Sequence, residues 1–209
     1  MPTLLQIDAS PVGSASISRH LTAEFTKHWK EANPKGEVIT RDLTTSGLTA
    51  IDGDWIVAMS TPPADRTIDQ QGRLALSDKL IAELRMADEY VIGAPMHNFT
   101  IAANLRLWID QVVRVGETFA YNENGRVGTL TGKKATFMVA SGGVYGPGTA
   151  AESFNFVEPY LRTVFGFIGV TDTNFHVAGG AAQLRTGAVD RETFLRPHVE
   201  AVHAAFQPA

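Results

Sequence analysis

Four serines crowd the stretch Ser10-Pro11-Val12-Gly13-Ser14-Ala15-Ser16-Ile17-Ser18, with one glycine and no lysine. Just ahead of a helix, such a segment offers unpaired backbone N–H groups, the positive end of a helix dipole and several hydroxyls. Together these coordinate a phosphate without a cationic side chain. Taken alone, the same serines also serve as caps and turn formers. No Walker A loop is present, because Gly128-Thr129-Leu130-Thr131-Gly132-Lys133-Lys134 has the wrong glycine-to-lysine spacing and lacks the Ser or Thr after lysine. A second stretch, Ala94-Pro95-Met96-His97-Asn98-Phe99-Thr100-Ile101, sets a proline, two ring-bearing residues and an amide in what reads as an exposed loop. Asn98 donates and accepts together, which suits the alternating carbonyl and N–H edge of a pyrimidine-like ring, and Met96 and Phe99 could flank a planar ligand. The third, Ser141-Gly142-Gly143-Val144-Tyr145-Gly146-Pro147-Gly148, carries four glycines. Glycines let backbone amides approach the polar edge of a ring closely. This stretch is no nucleophile elbow, since the glycine two places before the serine is missing.

The elements that must position these residues follow from apolar spacing. Thr3 to Asp8 reads as a strand, and Ile17, Leu21, Phe25 and Trp29 recur every fourth residue on one helical face, with Ser16 as its N-cap. Glu37 to Arg41 follows as a second strand, a parallel neighbour of the first. Leu43 to Thr67 is weakly patterned and broken by Pro62-Pro63, which predicts short helical pieces and loop. Ile68 to Met86 is helical, and Tyr90 to Gly93 is a buried third strand. Helix is expected again over Asn104 to Val115, then a hairpin-length excursion over Thr118 to Gly132. Ala135 to Ala140 forms the fourth strand, and helix resumes from about Ala150 to Ile168. A fifth strand covers Thr173 to Val177, and a closing helix covers Arg191 to Phe206. Five alternations of strand and helix imply one open parallel sheet with helices on both faces.

Composition narrows the function classes. The chain has 209 residues, 44% hydrophobic and 19% charged, which closes one substantial core and is read as one domain. It has no cysteine, so disulfides, thiolate metal sites, iron–sulfur clusters and a cysteine nucleophile are excluded, and redox chemistry would belong to a cofactor. No apolar run approaches the roughly 20 residues of a membrane helix and no secretory signal is recognised, so the expectation is a cytoplasmic protein without a membrane partner. A net charge of -4 with no basic stripe speaks against nucleic acid. His20, His28, His198 and His203 sit on helices without metal-ligand spacing, so no metal is expected. Asp8 reads as a turn residue and Trp108 as core.

All three loops fall at the carboxyl edge of the inferred sheet, after the first, third and fourth strands. Phosphate on the first loop, with a ring between the second and third, is the arrangement expected for FMN at the point where strand order reverses. With those residues in view, the chain resembles the FMN-dependent NADH-azoreductases, also described as NADH:quinone oxidoreductases, nearly end to end. Ser10 with Ser16-Ile17-Ser18 looks like that family's phosphate loop. Pro95-Met96-His97-Asn98-Phe99 looks like its Pro-Met-Tyr-Asn-Phe loop, and Ser141-Gly142-Gly143 like its Ser-(Arg)-Gly-Gly loop. Gly132-Lys133-Lys134 and Phe165-Gly166-Phe167-Ile168-Gly169 extend the match. Two positions depart from the pattern: His97 stands where tyrosine is common, and the arginine before the double glycine is absent.

The resemblance implies a flavodoxin-like three-layer α/β/α sandwich over 1–209, with a five-stranded parallel sheet in the order 2-1-3-4-5. It implies a homodimer with FMN at the interface, NADH as the usual donor, and ping-pong transfer of two electrons to quinones and azo compounds. Full azo cleavage to amines takes two such cycles. The chemistry is the flavin's, and the protein orients it. Amides near Asn98 and Phe99 would meet one edge of the ring, and those of Gly142 and Gly143 the other. Phe99, Phe119, Tyr121, Tyr145 and Phe165 are candidates for an apolar roof over the acceptor, partly from the partner subunit. A proton-donating role is open to His97. No arginine is evidently dedicated to a 2′-phosphate, which tilts the donor toward NADH over NADPH. The rival readings are a flavodoxin-type electron carrier and an NADPH-preferring quinone reductase of the same fold.

Overall fold

The structure is a computed structural model that describes residues 1–207. Its first half runs β1 (Thr3–Asp8), α1 (Ile17–Ala32), β2 (Glu37–Asp42), α2 (Gly53–Ser60), α3 (Ile68–Met86), β3 (Glu89–His97), β4 (Thr100–Ile101) and α4 (Ala103–Val112). The second half runs β5 (Phe119–Asn122), β6 (Gly125–Gly128), β7 (Lys134–Ala140), α5 (Val157–Ile168), β8 (Asp172–Ala178), α6 (Ala182–Thr186) and α7 (Arg191–Ala204). The main sheet has the order β2-β1-β3-β7-β8, all parallel, with β4 folded back antiparallel on β3. In sequence order of the five long strands this is the expected 2-1-3-4-5.

Side-chain alternation splits the strands between two cores, one on each face of the sheet. Leu4, Val91 and Met138 point toward α1 and α7, where they meet Leu21, Phe25, Trp29, Phe194, Leu195 and Val202. Leu5, Ile7, Tyr90, Ile92, Phe137 and Val139 point the other way, onto Leu80, Leu84, Leu105, Trp108, Leu161 and Phe165. With both faces covered, the strands must be apolar nearly throughout, as β3 and β7 are. Trp108 is core, as its spacing predicts.

Several boundaries differ from the sequence expectation, each for a local reason. The helix after β4 stops at Val112 instead of continuing to Val115. Arg114 is buried there and turns the chain, its guanidinium held by Ser77 and Asp78 and its backbone by Thr118. Helix α5 starts at Val157, not near Ala150, because the side-chain oxygen of Asn155 accepts from the amides of Val157 and Glu158 and caps it there. The third strand does not end at Gly93: pairing with β7 carries it through Pro95, and the two-residue β4 holds its tip. The stretch read as an exposed loop is therefore strand except for Asn98 and Phe99, with Ala94 and Pro95 buried. The 119–128 hairpin and the short helices between Leu43 and Thr67 form as expected. Among the described residues no helix is long and apolar enough to cross a membrane.

Candidate functional site

A cleft of about 670 Å³ opens at the carboxyl ends of β1, β3 and β7, within the size range of small-molecule sites. The structure brings Ser10, Ser16, Ile17, Pro95, Met96, His97, Ser141 and Gly142 into its wall. The first loop is built rigidly. Ser16 caps α1 by accepting from the amide of Arg19 at 3.2 Å, and the hydroxyls of Ser16 and Ser18 lie 3.2 Å apart. The amides of Ile17 and Ser18, at the first two helical positions, have no intrahelical partner by construction and stand at the positive end of the α1 dipole. Ser18 itself is fully buried, so its side chain braces the loop from behind and does not reach the cleft.

Asp8 is the last residue of β1, not a turn residue. It is buried, accepting from Thr22 Oγ1 at 2.7 Å and Gln6 Nε2 at 2.8 Å, and so ties α1 to the sheet beneath the loop. Burial pushes its carboxyl above the ordinary carboxylate range. Asp42 is the opposite case, held well below that range by the Arg19 guanidinium, which grips both its oxygens at 2.7 and 2.8 Å.

The second loop turns on Asn98 and Phe99, both with positive φ, at 49° and 72°. His97 pairs with Thr100, so these two are the central residues of a two-residue hairpin of the I′ kind, which requires φ > 0 at both. Phenylalanine is disfavoured there, at a cost of about 1–3 kcal/mol, a strain typical of ligand-holding positions. Asn98 and Phe99 stand beyond the main cleft. Asn98 borders an adjoining depression with Arg106 and Tyr160, and the Phe99 ring packs edge-on to Tyr145 at 6.0 Å and against Phe154 at 5.2 Å.

In the third loop the carbonyls of Ser141, Gly142 and Gly143 accept from the amides of Ala181, Ala182 and Gly180. A Cβ at Gly143 would fall 2.9 Å from the outer end of the Tyr145 ring, so any larger residue would displace that ring. At Gly142 a Cβ would meet no protein atom closer than 4.0 Å, and φ is not positive. Packing gives no reason for a glycine that lines the cleft, whereas a ring seated against this backbone does. Unpartnered helix N-terminal amides at one end, suited to a phosphate, and an open glycine backbone at the other fit FMN.

The expected roof separates. Phe99 and Tyr145 come together at the carboxyl edge, with Phe154 as an unforeseen third ring. Phe165 is fully buried against Tyr90, Trp108 and Phe137, which removes it from any pocket: its helical spacing made it core. Phe119 and Tyr121 lie on the β5–β6 hairpin at the opposite end of the sheet, where Gly128 abuts Gly169 and Phe119 packs on Phe167. They cannot reach the cleft of their own chain.

The far wall of the cleft was missed by sequence reasoning. Ala181, Leu184, Arg185, Val189, Asp190 and Arg191 come from the connection after β8 and the start of α7. Its signal was the glycine-rich run Gly179-Gly180-Ala181, a further loop at the same sheet edge.

Comparison with known proteins gives the family. The flavodoxin-like fold family matches residues 2–204. An FMN-dependent NADH:quinone oxidoreductase of Acidobacterium capsulatum is 55% identical over 202 residues, 97% of this chain and 98% of that protein. The chain belongs to the family of FMN-dependent NADH:quinone oxidoreductases. Another member, FMN-dependent NADH:quinone oxidoreductase 3 of Burkholderia lata, is 51% identical over 97% of this chain and 98% of its own length. An FMN-dependent NADH-azoreductase of Bacillus anthracis, solved in complex with FMN, superposes with a TM-score of 0.86 at 26% identity, covering 99% of this chain and 98% of that one. Among the described residues this oxidoreductase family member has no cluster of three or more metal-ligating side chains.

Proposed function

We propose that the chain is an FMN-dependent NADH:quinone oxidoreductase that also reduces azo compounds. It works as one FMN-binding domain over 1–209, as a homodimer, in the cytoplasm where its donor NADH is found. The convergence of the three loops on one cleft, in a chain with so close a relative of that name, carries this reading. Bound FMN supplies the redox chemistry, accepting two electrons with hydride from NADH and returning them to the acceptor. Everything else falls to the chain. The amides of Ile17 and Ser18 hold the phosphate, with the hydroxyls of Ser10 and Ser16 completing its coordination. Where the ring extends past the main cleft, backbone N–H groups at Asn98 and Phe99 hold one polar edge, and those at Gly142 and Gly143 hold the other, where they stabilise negative charge. Pro95 and Met96 wall the ring and keep water from it. His97, exposed on the rim, donates a proton from its imidazole to the acceptor. The homodimer is supported by Tyr121, 69% exposed on the hairpin: only a second copy can bring it to a cleft.

The test is a visible spectrum of the purified full chain with and without added FMN, then anaerobic NADH, then a quinone. Bleaching by NADH and recovery with quinone are expected. A chain that takes up no flavin overturns the reading. A stable one-electron state would favour an electron carrier instead, and faster bleaching by NADPH would favour the NADPH-preferring reductase.

A further inference from the structure

The first loop has no lysine, yet its carbonyls are held by cationic and amide side chains of α1, α4 and α7. Asn104 Nδ2 donates to the Ala9 carbonyl at 2.8 Å, and Arg19 Nε to that of Ser10 at 2.8 Å. On the other side Arg191, the first residue of α7, spans three successive carbonyls. Its Nη1 donates to Ala15 O at 2.6 Å, and its Nη2 to Ser14 O at 3.3 Å and Ser16 O at 3.2 Å. A peptide unit is planar, so the oxygen of the Ser16–Ile17 peptide, held by both His20 N of α1 and Arg191, fixes its N–H in the opposite sense. Holding Ser14 O and Ala15 O likewise preserves the tight turn in which Ala15 and Ser16 donate back to Val12 O and Gly13 O. Any of these carbonyls turned inward would set its negative end against an anion. Arg191 prevents that, and it brings a second guanidinium against the loop, the first, Arg19, being paired with Asp42. It lines the same cleft as Ser10 and Ser16.

We propose that Arg191 is the positioning residue that sets the anion-accepting face of the first loop, and so makes the cleft prefer a flavin bearing a phosphate over one without it. The proposal rests on the FMN reading of the cleft and assigns to α7 a role in ligand choice.

The test titrates the flavin-stripped full chain with FMN and with riboflavin, which shares the ring and lacks the phosphate, following flavin fluorescence. Arg191→Gln is expected to raise the FMN dissociation constant about tenfold or more, the loss of one charged hydrogen-bonding group, with riboflavin changed less than about twofold. Arg191→Lys, which restores the charge and one donor, should recover part of the FMN preference. Equal weakening for both flavins, or an unchanged FMN constant, would overturn the proposal. If the glutamine variant does not fold, the lysine variant decides: an FMN-to-riboflavin preference equal to wild type overturns it. Wild-type protein that binds neither flavin is a different result, in which the FMN reading of the cleft has itself failed.

Discussion

Single residues carry the ligand argument. Gly142 is a glycine that the fold does not need, since its backbone is not left-handed and a methyl there would meet open space. Gly142→Ala should therefore leave the thermal midpoint within the range of a neutral substitution, about 0.5 kcal/mol, while weakening FMN about tenfold or more. Equilibrium flavin titration beside a thermal melt checks both halves, and unchanged affinity would separate this glycine from the ligand. His97→Phe should keep FMN, because the contacts of its loop are made by backbone, and should slow turnover. Steady-state rates with a quinone and with an azo dye read this out, and unchanged rates with both would end the proton-donor assignment. Asn98 and Phe99 mark the limit of residue-level reading. Their types suggested a ligand loop, but nothing in the types required positive φ. That came from pairing β4 against β3 with only two residues between them.

Elements differ in how far they depend on distant contacts. Helix α1 was legible from Ile17, Leu21, Phe25 and Trp29 because a single repeat both forms it and buries it. Helix α5 was misplaced at its start because Asn155, a local cap, overrode an apolar pattern that began earlier. At the amino edge of the sheet, the β5–β6 hairpin meets the end of α5 backbone to backbone. A Cβ at Gly128 would lie 2.2 Å from the amide nitrogen of Gly169. Gly128→Ala should cost about 1–3 kcal/mol, the range for overpacking, and a thermal melt should show the lowered midpoint. The joint between α1 and β1 titrates. Burial raises the Asp8 carboxyl above its ordinary 3.8, so the folded state holds that proton more tightly than the unfolded chain. The cost of charging it is absent below 3.8 and grows as pH rises through and above that value. Asp8→Asn keeps the acceptor for Thr22 and removes the charge. Its thermal midpoint should gain on wild type between about pH 3.5 and neutrality. An advantage that does not change with pH would show that Asp8 is not the titrating group.

At the scale of the whole molecule, the roof residues Phe119 and Tyr121 have no cleft of their own to cover. Sedimentation or light scattering should find a dimer, and Tyr121→Ala should raise the KM for a large aromatic acceptor while leaving FMN bound. A monomer with full activity would remove the hairpin from the site. By itself, the sequence determined the alternation of strands and helices, the parallel sheet with helices on both faces, and the types of residue on three loops at one edge. These depend on local periodicity and on the handedness of the crossovers, which neighbouring residues already specify. Only the tertiary structure decided that Phe165 is core while Tyr145 is rim, that Ser18 braces from behind, and that the connection after β8 closes the cleft. Arg191 reaches the first loop only because α7 packs beside α1. Such contacts join residues from opposite ends of the chain, and their spacing in sequence carries no trace of their distance in space.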